Sequence, residues 1–485
     1  MRRYFVALGV GLALAGMVSA EGTAPRQRVA VLGFKNLRGD KETDWVGAAT
    51  AETLITKLTG VKALLIVERE QVKKVIQEQD FQQTDITNPE TAVKAGRVFG
   101  AQSVVIGSFA VGGGRVLLNA RIVDVETSEV LNAAALSGGE AELMDLPIQL
   151  ADAVIESLSK KVVVVEGRPE VRTGDPVAVS EAERRRIATR PTERADAYRA
   201  YGRGIDFDNK HVWAQAKQEF EKAVQLDPNF AMAWVELGRM HQNQGAWAKA
   251  LPCYAKAEAF FRASGDMSNV SWTLNNMGVA HADMGDPSKA LRCYKDSLGI
   301  SRKLGDEPGI AQTLLNVGTV YAEQERYDDA MKYFSESLRL HRKIGDEPGV
   351  ALVLNGIGGV YGQQGRMAKA GKCLEQSLVI SRKLGDTPGI ARTLGNVGNV
   401  HAALGRYKEA IRCYEEVIGL YRALGDPPNE AQSLYNLADA YRHLKDLGKA
   451  LPLAREAAQI AHKAALPDAA DYDNLVKVIE RDARR

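Results

Sequence analysis

The 485-residue chain is 45% hydrophobic and 26% charged, a globular balance that excludes disorder and collagen-like repeats. Its 63 Lys and Arg face 61 Asp and Glu, and setting aside Arg2 and Arg3 leaves 61 of each sign. So even a balance excludes the basic surplus that nucleic-acid or anionic-membrane binding requires.

Met1-Arg2-Arg3, the uncharged apolar run Phe5 to Val18 and the small residues Val18-Ser19-Ala20 follow the order of a secretory signal peptide. The segment 1–20 is predicted to be removed after Ala20. The apolar run is shorter than the ~20 residues a membrane-spanning helix needs. No Cys follows it before Cys253, so no lipidation site is expected, and no later segment reads as a span. The expected address is periplasmic, with outer-membrane association or secretion as alternatives.

A small α/β unit is predicted over 26–162. Arg28 to Phe34 reads as a buried strand, Asp44 to Leu58 as an amphipathic helix and Leu64 to Val67 as a strand. Helices follow at 68–79 and 89–99, then a meander of strands at 103–110, 115–125 and 129–136. Gly112-Gly113-Gly114 and Glu126-Thr127-Ser128 supply its turns. No Lys-Ser/Thr follows the triple Gly, so a hairpin turn is expected there and not a phosphate loop. A last helix covers 140–160. The segments V-A-V-L-G-F-K-N-L, V-E-R-E-Q-V-K-K-V-I-Q-E-Q, F-G-A-Q-S-V-V-I-G-S and A-R-I-V-D-V-E-T-S-E-V-L resemble the domain of the curli-assembly CsgG family and the related FlgO and TolB amino-terminal domains. The resemblance implies envelope assembly or export and a homo-oligomer formed through this domain. The chain departs from the family in having no lipidated Cys and no room for long barrel strands, which puts pore formation in doubt. Residues 163–193, with three Pro and the run Arg184-Arg185-Arg186 among glutamates, read as a solvated linker.

From 194 to 467 the chain repeats itself. Gly-Asp recurs at 265, 305, 345, 385 and 425, a spacing of forty, and self-similarity at fixed period means a solenoid. Each of about seven units reads as two helices. Asp306 is placed to cap the first, Pro308 suits its first turn, and Gly345 follows the second. Residues 468–485 read as a polar capping helix. Gly318, Tyr321, Ala330 and Phe334, repeated as Gly278, His281, Ala290, Tyr294 and as Gly398, His401, Ala410, Tyr414, resemble tetratricopeptide repeats. The fold class is therefore α+β, a small CsgG-like α/β domain followed by an all-α superhelical solenoid.

The repeat also accounts for most of the reactive residue types. His241, His281 and His401 share a position with Tyr321, Tyr361 and Tyr441, which marks packing. Cys253, Cys293, Cys373 and Cys413 share another. Equivalent helices lie ~8–10 Å apart, beyond the ~7 Å Cα limit for a disulfide, so the thiols are expected to be unpaired. No catalytic, cofactor or metal motif occurs, and no enzyme, cofactor or metal is expected.

In tetratricopeptide folds the first helices line a concave groove. Asn276, Asn316, Asn396 and Asn436 share one groove position, with Gly356 as the gap, and an Asn there needs a reason because it is a poor helix former. Two remain open: an amide that bonds the neighbouring helix, or a carboxamide ladder that reads the backbone of an extended peptide. The resemblance adds Trp272, Gln312, Asn355, Arg392, Asn399, Asp439 and Arg442 to the groove. A non-enzymatic periplasmic scaffold is expected, its groove holding a protein or peptide and its α/β domain docking at an envelope assembly. The alternative is a structural subunit of a ring-forming envelope complex.

Overall fold

The computed structural model describes residues 26–484 except 60, 68–71, 73–87, 99, 140, 141, 159, 166, 167, 174–176, 211, 465 and 467. The predicted signal segment, and nearly all of the helix predicted at 68–79, lie outside the described residues.

Strand β1 (Gln27–Asn36) is buried on both faces, Val29 and Val31 toward one side and Ala30 and Leu32 toward the other. It runs parallel to β2 (Leu64–Ile66) and to β3 (Ser103–Gly112). Strands β4 (Arg115–Asp124) and β5 (Val130–Gly139) continue the sheet antiparallel, in the order β2-β1-β3-β4-β5. Gly113 and Gly114 turn β3 into β4 with φ of +62° and +72°, values that side chains with a Cβ rarely adopt. Helices α1 (Trp45–Thr59) and α3 (Asp145–Ser157) cover one face through Leu54, Leu58, Leu150 and Val154, and α2 (Pro89–Val98) covers the other through Ala92 and Val93.

The segment predicted as a solvated linker is structured. Strands β6 (Lys160–Val165) and β7 (Arg168–Thr173) form an antiparallel hairpin, and α4 (Glu181–Ala188) follows. Ser180 and Glu183 close a capping box at the start of α4, and Glu183 also accepts from the Lys62 amide at 2.7 Å. Arg184 and Arg185 face solvent, but Ile187 is buried and Arg186 turns inward to donate to the Lys57 carbonyl at 3.0 Å. The ammonium of Lys57 donates to the carbonyls of Arg186 and Thr189. Burial, with Arg186 beside it, pushes Lys57 down to about 8 from 10.5. Between pH 8 and 10 the unfolded chain therefore holds a proton at Lys57 that the folded chain has released, so stability rises with pH across that window. Denaturant titrations of wild type and Lys57→Met at pH 7.5 and 9.5 check this. The rise is expected in wild type and absent from the variant.

Seven helix pairs follow. Unit one is α5 (Ala195–Asn209) with α6 (Trp213–Leu226), unit two α7 (Ala231–Asn243) with α8 (Trp247–Ala263), and unit three α9 (Met267–Asp283) with α10 (Pro287–Leu304). Unit four is α11 (Glu307–Glu323) with α12 (Tyr327–Lys343), and unit five α13 (Glu347–Gln363) with α14 (Met367–Leu384). Unit six is α15 (Thr387–Ala403) with α16 (Tyr407–Leu424), and unit seven α17 (Pro427–His443) with α18 (Leu447–Lys463). The capping helix is α19 (Ala469–Ala483). Asp266, Asp306, Asp386 and Asp426 each accept an amide of the helix they precede, and Gly305, Gly385 and Gly425 close the preceding helices in the left-handed region.

Within a unit, a glycine of the first helix receives a large side chain of the second. A Cβ added at Gly278, Gly318 or Gly398 would lie 2.4–2.6 Å from the ring of Tyr294, Phe334 or Tyr414. In unit seven, Ala438 takes the place of the glycine, and the large residue is correspondingly reduced to Ala454. The solenoid does not start afresh after the α/β domain. Tyr198 of α5 places its hydroxyl 2.9 Å from Thr53 of α1, and Gly202 lets the Trp45 ring approach so closely that a Cβ would stand 2.6 Å from it. One core runs from the sheet through α1 into Tyr201, Phe220 and Phe230, so α1 covers the first repeat as α19 covers the last.

Candidate peptide-binding groove

The first helices α9, α11, α13, α15 and α17 lie side by side in sequence order. The caps and the glycine interlocks fix their rotation, so the same repeat position faces the same way in each. Trp272 is 39% exposed, and Arg392 and Asn399 are also exposed; Asn276, Gln312, Asn316, Asn355, Asn396 and Asn436 are half-buried. The predicted residues thus fall along one row of helices.

The asparagines of that row are largely engaged with one another. Asn316 donates to Asn275 of the preceding first helix at 3.1 Å and accepts from Gln312 at 3.4 Å. Asn396 donates to Asn355 at 3.0 Å. Asn436 donates to Asn399 at 3.2 Å and accepts from Gln432 at 3.1 Å, while Asn399 also accepts from the Tyr414 hydroxyl at 2.8 Å. Of the two reasons for a repeated Asn, bonding to the neighbouring helix describes Asn316, Asn396 and Asn436. A ladder of wholly unengaged amides does not, because each side-chain NH2 already donates once inside the protein. Asp439 and Arg442 are likewise committed: they pair at 2.8 Å, and Arg442 reaches Asp482 of α19 at 3.6 Å. They fasten the carboxy-terminal end of the groove.

Sequence reasoning missed two acids on the same row. Asp283 and Glu323 end α9 and α11 on the exposed side. Partial desolvation raises the Asp283 carboxyl, and desolvation together with the charge of Asp283 raises that of Glu323. The forty-residue spacing that exposed the Asn row also relates these two, but Gln363 and Ala403 interrupt the pattern. Away from the groove, a cleft of about 710 Å³ opens between the outer faces of α5 and α6, lined by Arg199, Arg203, Glu219 and Lys222. No group of three or more His, Cys, Asp and Glu side chains among the described residues could hold a metal ion, and no described helix is long and apolar enough to cross a membrane.

All four cysteines are free thiols. Burial raises each of them, and pushes Cys253 up to about 11. Unreduced, denatured protein is expected to consume four equivalents of a thiol reagent at pH 8, and native protein to react at least ~10-fold more slowly. Two or fewer reactive thiols after denaturation would contradict the pairing state.

Residues 229–303, 309–383, 349–423 and 389–463 match the tetratricopeptide repeat family model. Residues 12–111 match the model of CsgG, the curli production assembly/transport component, a match that ends before β4 and β5. No curated protein matches the chain. Among solved structures it is similar to BtubC (BKLC) from P. vanneervenii, at 20% identity over 44% of this chain and 90% of that one, with a TM-score of 0.37. It is similar to a Rap protein complexed with competence and sporulation factor, at 15% identity over 56% of this chain and 77% of that one, with a TM-score of 0.46. A signal-transduction ATPase with a tetratricopeptide-repeat sensor from Pyrococcus horikoshii gives 14% identity over 88% of this chain and 59% of that one, with a TM-score of 0.49. Seven helix pairs, their glycine interlocks and the family match together make this chain a tetratricopeptide-repeat protein with a CsgG-like amino-terminal domain.

Proposed function

We propose that the chain is a non-enzymatic periplasmic scaffold whose groove captures a protein segment and whose α/β domain docks at a cell-envelope assembly. The tetratricopeptide repeats support the protein-interaction role. The observation that carries the groove is the row of aligned first helices, which presents Trp272 and Arg392 outward while the asparagines between them hold the row in register. An aromatic anchor and a guanidinium on one rigid face suit an extended peptide, since Trp and Arg are among the side chains that most often carry binding energy at interfaces. The signal-like segment 1–20 and the CsgG match support the envelope location.

Photo-crosslinking residues placed at 272 and 392 in living cells test this. Discrete adducts at both sites are expected, and Trp272→Ala with Arg392→Ala should cut partner recovery at least ~10-fold without lowering the melting temperature. Adducts no stronger than those from an exposed second-helix control such as Val379 would overturn the groove. Amino-terminal sequencing of native protein is expected to begin at Glu21, and retention of Met1 would overturn the location. The ring-subunit reading is favoured by β5, an edge strand of ten residues without a charged side chain, which offers an open ladder to a second copy. Electron microscopy showing closed rings would establish that alternative.

A further inference from the structure

Neighbouring units are not tied alike. Between units three and four, Asn316 bonds Asn275 at 3.1 Å, the hydroxyls of Ser297 and Thr313 lie 3.4 Å apart, and Arg302 pairs with Glu336 at 3.7 Å. The same three positions recur between units five and six, as Asn396–Asn355 at 3.0 Å, Ser377–Thr393 at 3.2 Å and Arg382–Glu416 at 3.3 Å. Units six and seven are joined by Asn436–Asn399 at 3.2 Å, Arg422–Glu456 at 2.6 Å and Tyr441–Glu415 at 3.1 Å. Arg239 of unit two reaches Asp208 of unit one at 2.7 Å.

At the two remaining seams most of these positions hold residues that cannot make the ties. Between units two and three the equivalent positions hold Val235 with Asn276 and Ala257 with Thr273, and Arg262 pairs with Glu258 of its own helix at 2.5 Å although Asp296 stands at the position of Glu336. Between units four and five the equivalent positions hold Leu315 with Gly356, Ser337 with Val353, and Arg342 with the uncharged Gln376. These seams close on apolar contacts, with Phe261, Val270 and Leu274 at the first and Phe334, Val353 and Ile357 at the second. Apolar contact is non-directional, whereas hydrogen bonds and ion pairs fix a register.

A cation of the α/β domain lies on the outer turn of the second of those seams. At the turn between units four and five, Arg28 donates to the Ile344 carbonyl at 3.4 Å and sits 3.7 Å from the Oδ1 of Asp346. His341 occupies the place of Ser301 and Ser381, and its Nδ1 holds the other Asp346 oxygen at 2.8 Å, which leaves Oδ1 toward Arg28. Arg26 donates to the Gly305 carbonyl at the turn between units three and four. Helix carboxy-termini carry partial negative charge, so each of these cations is favourably placed.

We propose that the solenoid is three blocks (units one and two, three and four, and five to seven) hinged at two apolar seams, and that the α/β domain is the brace setting the angle at the second of them. The brace sits on the second hinge, so anything that binds or displaces the α/β domain changes the curvature of the row of first helices. Its bearing on partner capture rests on the groove reading; the hinges themselves do not.

Hydrogen exchange on the full chain tests the hinges without any partner. Arg28→Ala is expected to speed amide exchange in 344–350 by roughly tenfold, while 384–390, a turn within the last block, stays as in wild type. Adding Val353→Thr and Gln376→Glu, which copy the ties of the seam between units five and six, is expected to restore slow exchange in the Arg28→Ala background. The same pair in otherwise wild-type protein slows exchange in 344–350 whether or not Arg28→Ala folds well. Equal exchange in 344–350 with and without Arg28, or no slowing by the added ties, would overturn the proposal.

Discussion

Replacing Gly318 with Ala is expected to destabilise the solenoid by about 1–3 kcal/mol, although Ala is the better helix former by ~1 kcal/mol. The new methyl would stand 2.6 Å from the Phe334 ring, and neither the ring nor the backbone of α11 can retreat inside a packed unit. Phe334→Ala alone should cost about 3–5 kcal/mol through the cavity it leaves. In that background the sign reverses, and Gly318→Ala becomes neutral or stabilising by up to ~1 kcal/mol. The Ala438–Ala454 pair of unit seven is the natural version of the double variant. A double-mutant cycle by urea denaturation measures the coupling, and additive effects would show that the glycine is there for another reason.

Trp45→Ala is expected to cost about 3–5 kcal/mol and to split the unfolding of the chain. Trp45 is 7% exposed, and its ring lies against Gly202 of the first repeat, so it belongs to both domains. With the ring gone, the α/β domain loses its grip on α5, and calorimetry should resolve two transitions where wild type has a single, coupled one. Tyr198→Phe removes only the hydroxyl contacts to Thr53 and to the Ala49 carbonyl and should cost about 0.5–1.5 kcal/mol. A Trp45→Ala protein that melts like wild type would mean that the two domains are merely tethered.

The row of asparagines shows how far a repeat can be read. Its spacing identified a position, and the position proved to lie on one line of helices. The partners were not legible: Asn275 is one residue off the period, and whether Asn316 meets it depends on how closely α9 and α11 approach. The linker failed for a different reason. Ser180 and Glu183 form a capping box visible in the sequence, but the arginines around them raised the apparent polarity of the segment and concealed the buried Ile187. Arg28 and His341 carried no local signal except that His341 departs from the Ser of its repeat position.

The sequence by itself determined that this chain has an α/β domain followed by seven helix pairs, because period-2 strands, a forty-residue repeat and Asp and Gly at the helix ends are local patterns whose physics acts within a few residues. It also determined which side chains share a face. Only the tertiary structure decided that α1 serves as the missing helix before the first repeat, that the predicted linker packs, and that the groove amides bond one another. Those outcomes depend on distances between elements far apart in the chain. Such distances are set by the volumes of side chains like Trp45 and Phe334 and by the glycines that admit them, quantities that no periodicity records.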